Sequence, residues 1–272
     1  RVLAEAIAVI PLQLFERTDR GRILLNKDPL YSLLHDEPNT FMDSFIWREL
    51  QMTYLCLWGN GYSYIERDPL GRSRALIPIH PDNCEPVYDP KSKKIFYMVS
   101  IDGKREIIEQ SNILHFKGLS FDGIVGKSPL RLARESYGLS LATQKFGSRF
   151  FGNGANLSGV IMHPGKLSDP ALVNLKKSWT KHEGIDNTHH TPILEEGMKW
   201  EKVGIPPEEA QFLQTRKFQI TEVARWFKIP PHMIADLERS TFSNIEQQDI
   251  NFVKYSVLPW CKRLESEIRR KL

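Results

Sequence analysis

Residues Ile229–Trp260, IPPHMIADLERSTFSNIEQQDINFVKYSVLPW, join a hard stop, a polar loop and a long helix with a proline inside it. Pro230 and Pro231 end whatever helix precedes them, because proline lacks an amide donor and drives its predecessor out of the α region. Ser243 and Glu246 fit a capping box, hydroxyl and carboxylate each covering a free backbone amide. From there Ile250, Val253, Val257, Trp260, Leu264 and Ile268 recur at three- or four-residue steps, one apolar stripe running to the end of the chain. Pro259 lies within that stripe; it removes the bond to Tyr255 and predicts a kink, since the periodicity continues beyond it.

Upstream, Pro206, Pro207, Glu208 and Glu209 open a helix whose stripe is Leu213, Ile220, Val223, Ala224 and Phe227, with the acids in the first turn where the dipole favours them. Ser128 and Pro129 open another, running to about Phe151. Between these two long helices lies a small α/β insert, with strands at 158–163, 191–195 and 199–203 and a helix from Ser168 to His182. The chain before them begins with residues 1–15, which fit a helix or an edge strand equally. Asp28 and Pro29 start a short helix through Leu34. A longer one from about Thr40 to Trp58 has a broad buried face of Phe41, Phe45, Trp47, Leu50, Met52, Tyr54, Leu55 and Trp58, stopped by Gly59-Asn60-Gly61. From Tyr62 to Phe116 the pattern is of strands forming one small antiparallel sheet. Its clearest hairpin joins 95–101 to 106–108 through Asp102-Gly103. The fold class is therefore α+β.

The composition excludes several classes. The 272 residues are 41% hydrophobic and 26% charged, which suits one large or two modest globular domains. With 37 Lys plus Arg against 33 Asp plus Glu, the net charge of +4 is mild and does not describe a surface built to grip duplex. Cys56, Cys84 and Cys261 are few and far apart, which argues against a disulfide framework or zinc site and for a reducing compartment. No apolar run reaches the roughly 18–20 residues of a membrane span. The absence of an initial Met, and a helical stripe still running at Leu272, imply a piece of something longer.

Several runs together carry a resemblance: SPLRLARESYGLSLATQKFGSRFFGNGANLSGV (128–160), LEEGMKW (194–200) and FKIPPHMIADLERSTFSNIEQQDINFVKYSVLPW (227–260), with DPLYSLLHDEPN (28–39) and LWGNGYSYIERD (57–68) before them. The chain from Asp28 onward resembles the HK97-type portal proteins of tailed bacteriophages. That resemblance implies a portal fold: a wing over 1–127, stem helices over 128–154 and 206–228 bracketing a clip at 155–205, a tunnel loop at 229–242 and a kinked wing helix from 243 to 272. The family's crown would follow. It further implies a homo-oligomeric ring, usually of twelve subunits, at a capsid vertex of the virion, assembled in the bacterial host cytoplasm. Double-stranded DNA passes through the channel, and terminase motor, head-tail connector and capsid proteins are the partners. The tunnel loop would present His232, Asp236, Leu237, Glu238, Arg239, Ser240 and Thr241 to DNA, with the kink at Pro259.

The charges of that loop suit passage, since each phosphate neutralised by a cation adds salt-dependent affinity and would brake the DNA. Taken alone they equally describe a solvated loop. Arg131, Arg134, Lys145 and Arg149, and Arg216, Lys217 and Arg225, read as solvated or ion-paired faces rather than DNA ligands. His189 and His190 are adjacent in a turn without a third ligand, so no metal site is expected. Gly59-Asn60-Gly61 lacks the lysine and hydroxyl of a phosphate loop, and Gly152-Asn153-Gly154 ends a helix instead of opening one. No catalytic residues and no cofactor are expected, and His115 near Asp122 reads as coincidence. The alternative is a monomeric nucleic-acid-binding module stacking bases on Tyr62, Tyr64, Phe96 and Tyr97. Aromatics are favoured in strands for packing alone, and a ring against a monomer separates the two readings.

Overall fold

The computed structural model describes residues 1–101, 103–152, 159–165, 167–180, 197–202, 209–237 and 242–272. They form two compact units, Arg1–Arg134 with Glu222–Leu272, and Glu135–Thr221.

In the first unit the undecided N-terminal segment is a helix, α1 (Val2–Ala8), which buries Leu3, Ala4 and Ile7. A hairpin, β1 (Phe15–Thr18) and β2 (Gly21–Leu24), leads to α2 (Pro29–His35), where the Asp28 carboxylate accepts from the Leu30 amide. Helix α3 (Ser44–Trp58) starts four residues later than its apolar pattern suggests, because Asp43 caps it through the Ile46 amide at 2.7 Å. Phe41 is consequently outside the helix at 61% exposure, and Phe45, about 100° round from the buried Ser44, is 39% exposed, whereas Trp47, Met52 and Leu55 fill the buried face. Arg48 on the same helix is buried, and its guanidinium donates to the carbonyl of Ala8, closing the C-terminus of α1.

The strands form two three-stranded antiparallel sheets rather than one. The first is ordered β4 (Ser73–Ile79), β3 (Asn60–Arg67), β8 (Ile113–Lys117) and the second β5 (Cys84–Asp89), β6 (Lys94–Ile101), β7 (Lys104–Glu109). Ile101 pairs with Lys104, the two-residue connection expected of Asp-Gly. One core lies between the first sheet and the helices, and a second, of Tyr62, Cys84, Tyr97, Val99 and Ile113, lies between the sheets.

Three backbone segments meet at the Gly-Asn-Gly stretch. Gly59 ends α3 with φ +79, and its carbonyl accepts from the Gly118 amide at 2.8 Å. A Cβ on Gly126 would lie 1.9 Å from the Gly59 carbonyl oxygen, so only glycine permits this approach. Asn60 fixes it from both sides, donating to the Gly126 carbonyl at 2.8 Å and accepting from its amide at 2.7 Å.

The helix expected over 128–151 is divided. Ser128 caps α4 (Pro129–Leu132), Ala133 leaves helical geometry at φ −99 and ψ 16, and α5 (Arg134–Gly152) follows. In the second unit β9 (Gly159–Met162) pairs antiparallel with β10 (Lys199–Lys202), and α6 (Asp169–Thr180) lies between them in sequence. The strand expected at 191–195 and the caps expected at Pro206–Glu208 fall outside the described residues. Helix α7 (Glu209–Trp226) belongs to the second unit up to Thr221 and to the first from Glu222.

The last helix begins at Phe242, which puts Ser243 within the first turn rather than at the cap. It runs as α8 (Phe242–Phe252), a π-helical turn (Val253–Val257) and α9 (Leu258–Lys271). The wider turn sits immediately before Pro259, where the missing amide interrupts the α pattern. It also displaces the expected stripe: Val257 and Leu264 are buried, but Ile250 and Val253 are 59% and 58% exposed, and Phe252 takes their place in the core.

Candidate functional site

The junction between α7 and α8 is built from backbone rules first. Helix α7 ends at Trp226, before the prolines, in a Schellman turn: the Ile229 amide donates to the Ala224 carbonyl and the Lys228 amide to that of Arg225. Lys228 takes the left-handed position at φ +53, and the Ser256 hydroxyl donates to its carbonyl, tying the turn to the π-helical segment. Pro230 and Pro231 then lead into a 3₁₀ turn, Pro231–Ile234, which Ala235 closes at φ +61. The Asp236 amide returns to the Pro231 carbonyl at 3.0 Å.

His232 is the pin of this junction. One ring nitrogen, Nδ1, lies 2.8 Å from Gln248 Oε1 and the other, Nε2, 2.7 Å from Asp249 Oδ1, and only 9% of the side chain is exposed. Ile229 and Met233 pack against the main core. The root of the loop is therefore anchored, Asp236 beyond it is half-buried and Leu237 is 58% exposed. Glu238, Arg239, Ser240 and Thr241 lie outside the described residues. Gln248 and Asp249 were not singled out by sequence. The only signal for them was a polar pair on the helix that follows a histidine-bearing turn.

A second polar cluster holds the far end of α9 to the sheets. Glu267, 7% exposed, accepts from the His115 amide at 3.2 Å and pairs with Arg270 at 2.7 Å. The Lys271 ammonium reaches the Gln110 carbonyl, and Arg67 donates to the Lys271 carbonyl. His115 itself is buried between Asn60 Oδ1 at 3.0 Å and the Tyr97 hydroxyl at 3.1 Å. The Asn60 oxygen can only accept, so His115 donates from Nε2 and receives the tyrosine proton at Nδ1, which is the neutral tautomer. Burial, reinforced by Lys117, Lys271 and Arg270, holds its pKa well below the ordinary 6.5. Asp122 serves elsewhere, accepting from the amides of Ile124 and Val125 within its own loop, so its proximity in sequence to His115 carries no chemistry.

Two of the four aromatic residues of the alternative reading are spent on packing, while Tyr64 and Phe96 are partly exposed. Tyr62 and Tyr97 are 2% and 1% exposed and enclose the His115 ring, with centroids 4.4 and 5.6 Å away. They offer no face to a base. Among the described residues no group of three His, Cys, Asp or Glu could hold a metal ion, and no helix is long and apolar enough to cross a membrane. His189 and His190 lie outside the described residues.

Comparison with known proteins identifies the family. The family model described as phage portal protein matches residues 1–272. The chain belongs to the phage portal protein family. It is 34% identical over 283 residues to a probable portal protein of Streptomyces phage phiC31, covering all of this chain and 62% of that protein. To the portal protein of Enterobacteria phage HK97 it is 32% identical over 276 residues, covering all of this chain and 65% of the relative. The portal chain thus spans somewhat under two thirds of the length of these relatives.

The fold agrees with solved structures. An HK97-family phage portal protein from Corynebacterium diphtheriae superposes with a TM-score of 0.71 at 15% identity, over 98% of this chain and 83% of that one. A chain from the neck of an empty gene transfer agent particle, computed with C6 symmetry, gives 0.70 at 22% identity over 98% and 74%. Within this portal chain the exposed basic residues of the two long helices are those expected, and Arg134, Lys217 and Arg225 each have a partner in the structure.

Proposed function

We propose that this chain is a ring-forming portal subunit at one capsid vertex of a phage virion, assembled in the host cytoplasm. Its channel passes double-stranded DNA, and it docks the terminase motor and head-tail connector. It contributes no catalytic step of its own; ATP hydrolysis belongs to the motor.

The observation that carries the ring is the inverted polarity of the helix pair in the second unit. Gln219 of α7 is buried and donates to Thr143 of α5 at 2.9 Å. The α5 residues at that spacing, Ser136, Ser140, Thr143 and Gly147, are withdrawn from solvent and small; among the described α5 residues Tyr137 is the one large side chain withdrawn with them. Leu139, Leu141 and Phe146 of α5, with Phe218 and Ile220 of α7, are instead between 49% and 67% exposed. On a helix, Leu139 and Phe146 fall to one side of the small-residue stripe and Leu141 to the other; Phe218 and Ile220 flank Gln219 in the same way. Apolar residues on both flanks suit a subunit with a neighbour on each side, which is the requirement of a heterologous ring.

The loop that follows α7 is the proposed DNA-facing element, from Asp236 through Thr241. A small surplus of negative charge there keeps contact with phosphate weak. Native mass and negative-stain images of the intact protein test the ring: a closed ring with a central hole supports it and a monomer overturns it. Replacing Asp236 and Glu238 with lysine tests the loop. Assembly should persist while DNA passage slows or jams, and normal packaging kinetics would remove the loop from the channel.

A further inference from the structure

Within the first unit, two surfaces lack a partner and complement each other. The hairpin β1–β2 pairs Phe15 with Leu24 and Arg17 with Arg22. Because strand residues alternate between faces, these four side chains share one face, with Arg20 in the turn beyond them. Phe15 and Leu24 are 44% and 38% exposed, and all three arginines are exposed. Two unfavourable features therefore coincide. A two-stranded hairpin with both faces in water is marginal by itself, and like charges directly across a ladder repel. Among the described residues neither Arg17 nor Arg22 has an ion-pair partner, so no carboxylate among them offsets that repulsion.

The second surface is the outer face of β5–β6–β7. Its inner face carries Cys84, Tyr97 and Val99 into the core. Outward, register places Glu85, Met98 and Ile107 in one cross-strand row and Val87, Phe96 and Glu109 in the next. Four apolar side chains thus lie between two carboxylates at opposite corners. Ile107 is 73% exposed and Val87 38%, and both glutamates are exposed without an ion-pair partner among the described residues. Neighbouring strands lie about 4.8 Å apart, so the apolar patch has the width of a two-stranded ribbon.

We infer that the β1–β2 hairpin of one copy docks on the outer β5–β6–β7 face of the next, Phe15 and Leu24 covering the apolar patch while Arg17 and Arg22 meet Glu85 and Glu109. The occupant is a second copy because one chain carries both halves, apolar–basic and apolar–acidic, on different surfaces. Such a contact is heterologous: each copy offers one hairpin and one sheet face, so it propagates around a ring and cannot satisfy itself in a two-fold dimer. The inference rests on the ring proposed above and names a contact that would hold it.

The test uses charge exchange in the intact protein. The double variant R17E/R22E should raise the concentration at which rings form by about tenfold or more, because four carboxylates then face one another. E85R/E109R should do the same, and the quadruple variant should restore assembly. Leu24→Cys with Ile107→Cys should give a ladder of covalent oligomers under mild oxidation. All of these positions are exposed, so circular dichroism and thermal midpoints should be unchanged, and a variant that loses them is replaced by R17Q/R22Q. Rings that form as in the wild type in both double variants, with no covalent ladder, overturn the hairpin contact and leave the ring standing. Loss in both variants without rescue in the quadruple assigns the two surfaces to other proteins and equally overturns it. A wild-type protein that is monomeric overturns the ring itself.

Discussion

Replacing Gly126 with alanine should be among the most damaging single-methyl changes in this chain. The new Cβ would sit 1.9 Å from the Gly59 carbonyl oxygen, 2.9 Å from the Gly118 amide nitrogen and 3.0 Å from Asn60 Oδ1. Two of those three atoms are backbone, fixed by the end of α3 and the start of the following loop, so no side-chain rotation relieves the clash. Overpacking of this kind costs about 1–3 kcal/mol. If the loop moves away instead, both hydrogen bonds between Asn60 and Gly126 are lost, at about 0.5–1.5 kcal/mol each. Both routes span about 1–3 kcal/mol, and an approach as close as 1.9 Å to a backbone atom puts this site at the upper end, which for a domain of this size lowers the thermal midpoint by about 6–12 °C. The measurement is a thermal scan by near-ultraviolet circular dichroism, beside two other glycines that have nothing within 4 Å of their would-be Cβ. Gly123→Ala, at φ +74, should cost about 1–2 kcal/mol from backbone strain alone. Gly138→Ala, inside α5, should stabilise by about 0.4–1 kcal/mol. A Gly126→Ala midpoint within the range of Gly123→Ala would refute the close approach of the three segments.

His115 predicts the direction of the pH dependence. Its folded pKa lies well below 6.5, so the unfolded chain binds the extra proton; the stabilisation is complete above about pH 6.5 and is lost as pH falls, by at most about 1.4 kcal/mol per unit. Urea melts at pH 7.5 and 5.0 should show a smaller acid loss for His115→Gln than for the wild type, and equal losses would remove His115 from the account. Burial raises the thiols of Cys56 and Cys84 to about 11 and about 12, so both should resist iodoacetamide at pH 8 until urea unfolds the chain. Asp249→Ala should free His232 and speed amide exchange across residues 229–237 by about tenfold while leaving the global unfolding free energy within about 0.5 kcal/mol. Unchanged exchange there would mean the histidine does not hold the loop root.

The readings that succeeded were those in which a short-range rule acts alone. Asp28 with Pro29, Ser128 with Pro129 and the Gly59 stop each depend on backbone geometry within one turn, and each stands where expected. The readings that failed involved competition between such rules. Phe41 continues the apolar pattern of α3, yet Asp43 is the better cap and the helix starts behind it. Pro230 is a strong stop, but Lys228 turns the chain two residues earlier. Of the candidate site, the loop was legible as a break between helices. Its anchoring was not, because the partners of His232 lie 16 and 17 residues away on an unremarkable polar stretch.

The stripe on the last helix shows why such errors are local. From Val257 onward, Val257, Leu264 and Ile268 follow α spacing and face the core, with Trp260 packed beside them. Extrapolating back by four residues gives Val253, but the buried residue is Phe252, five before Val257. A π turn adds one residue to a turn, so it shifts the phase by one position without breaking the helix. The sequence carries the cause, Pro259, and the consequence, an apolar residue at both 252 and 253. Nothing in periodicity alone decides which of the two is in phase. That decision is made by packing: Phe252 is the larger side chain, and the Ser256 hydroxyl bound to the Lys228 carbonyl fixes the turn that points it inward. Ile250 and Val253 are left on the outer side of the helix as a consequence of the same insertion; deleting one residue between Val253 and Val257 should restore the α pattern and keep Phe252, then four residues before Val257, facing the core.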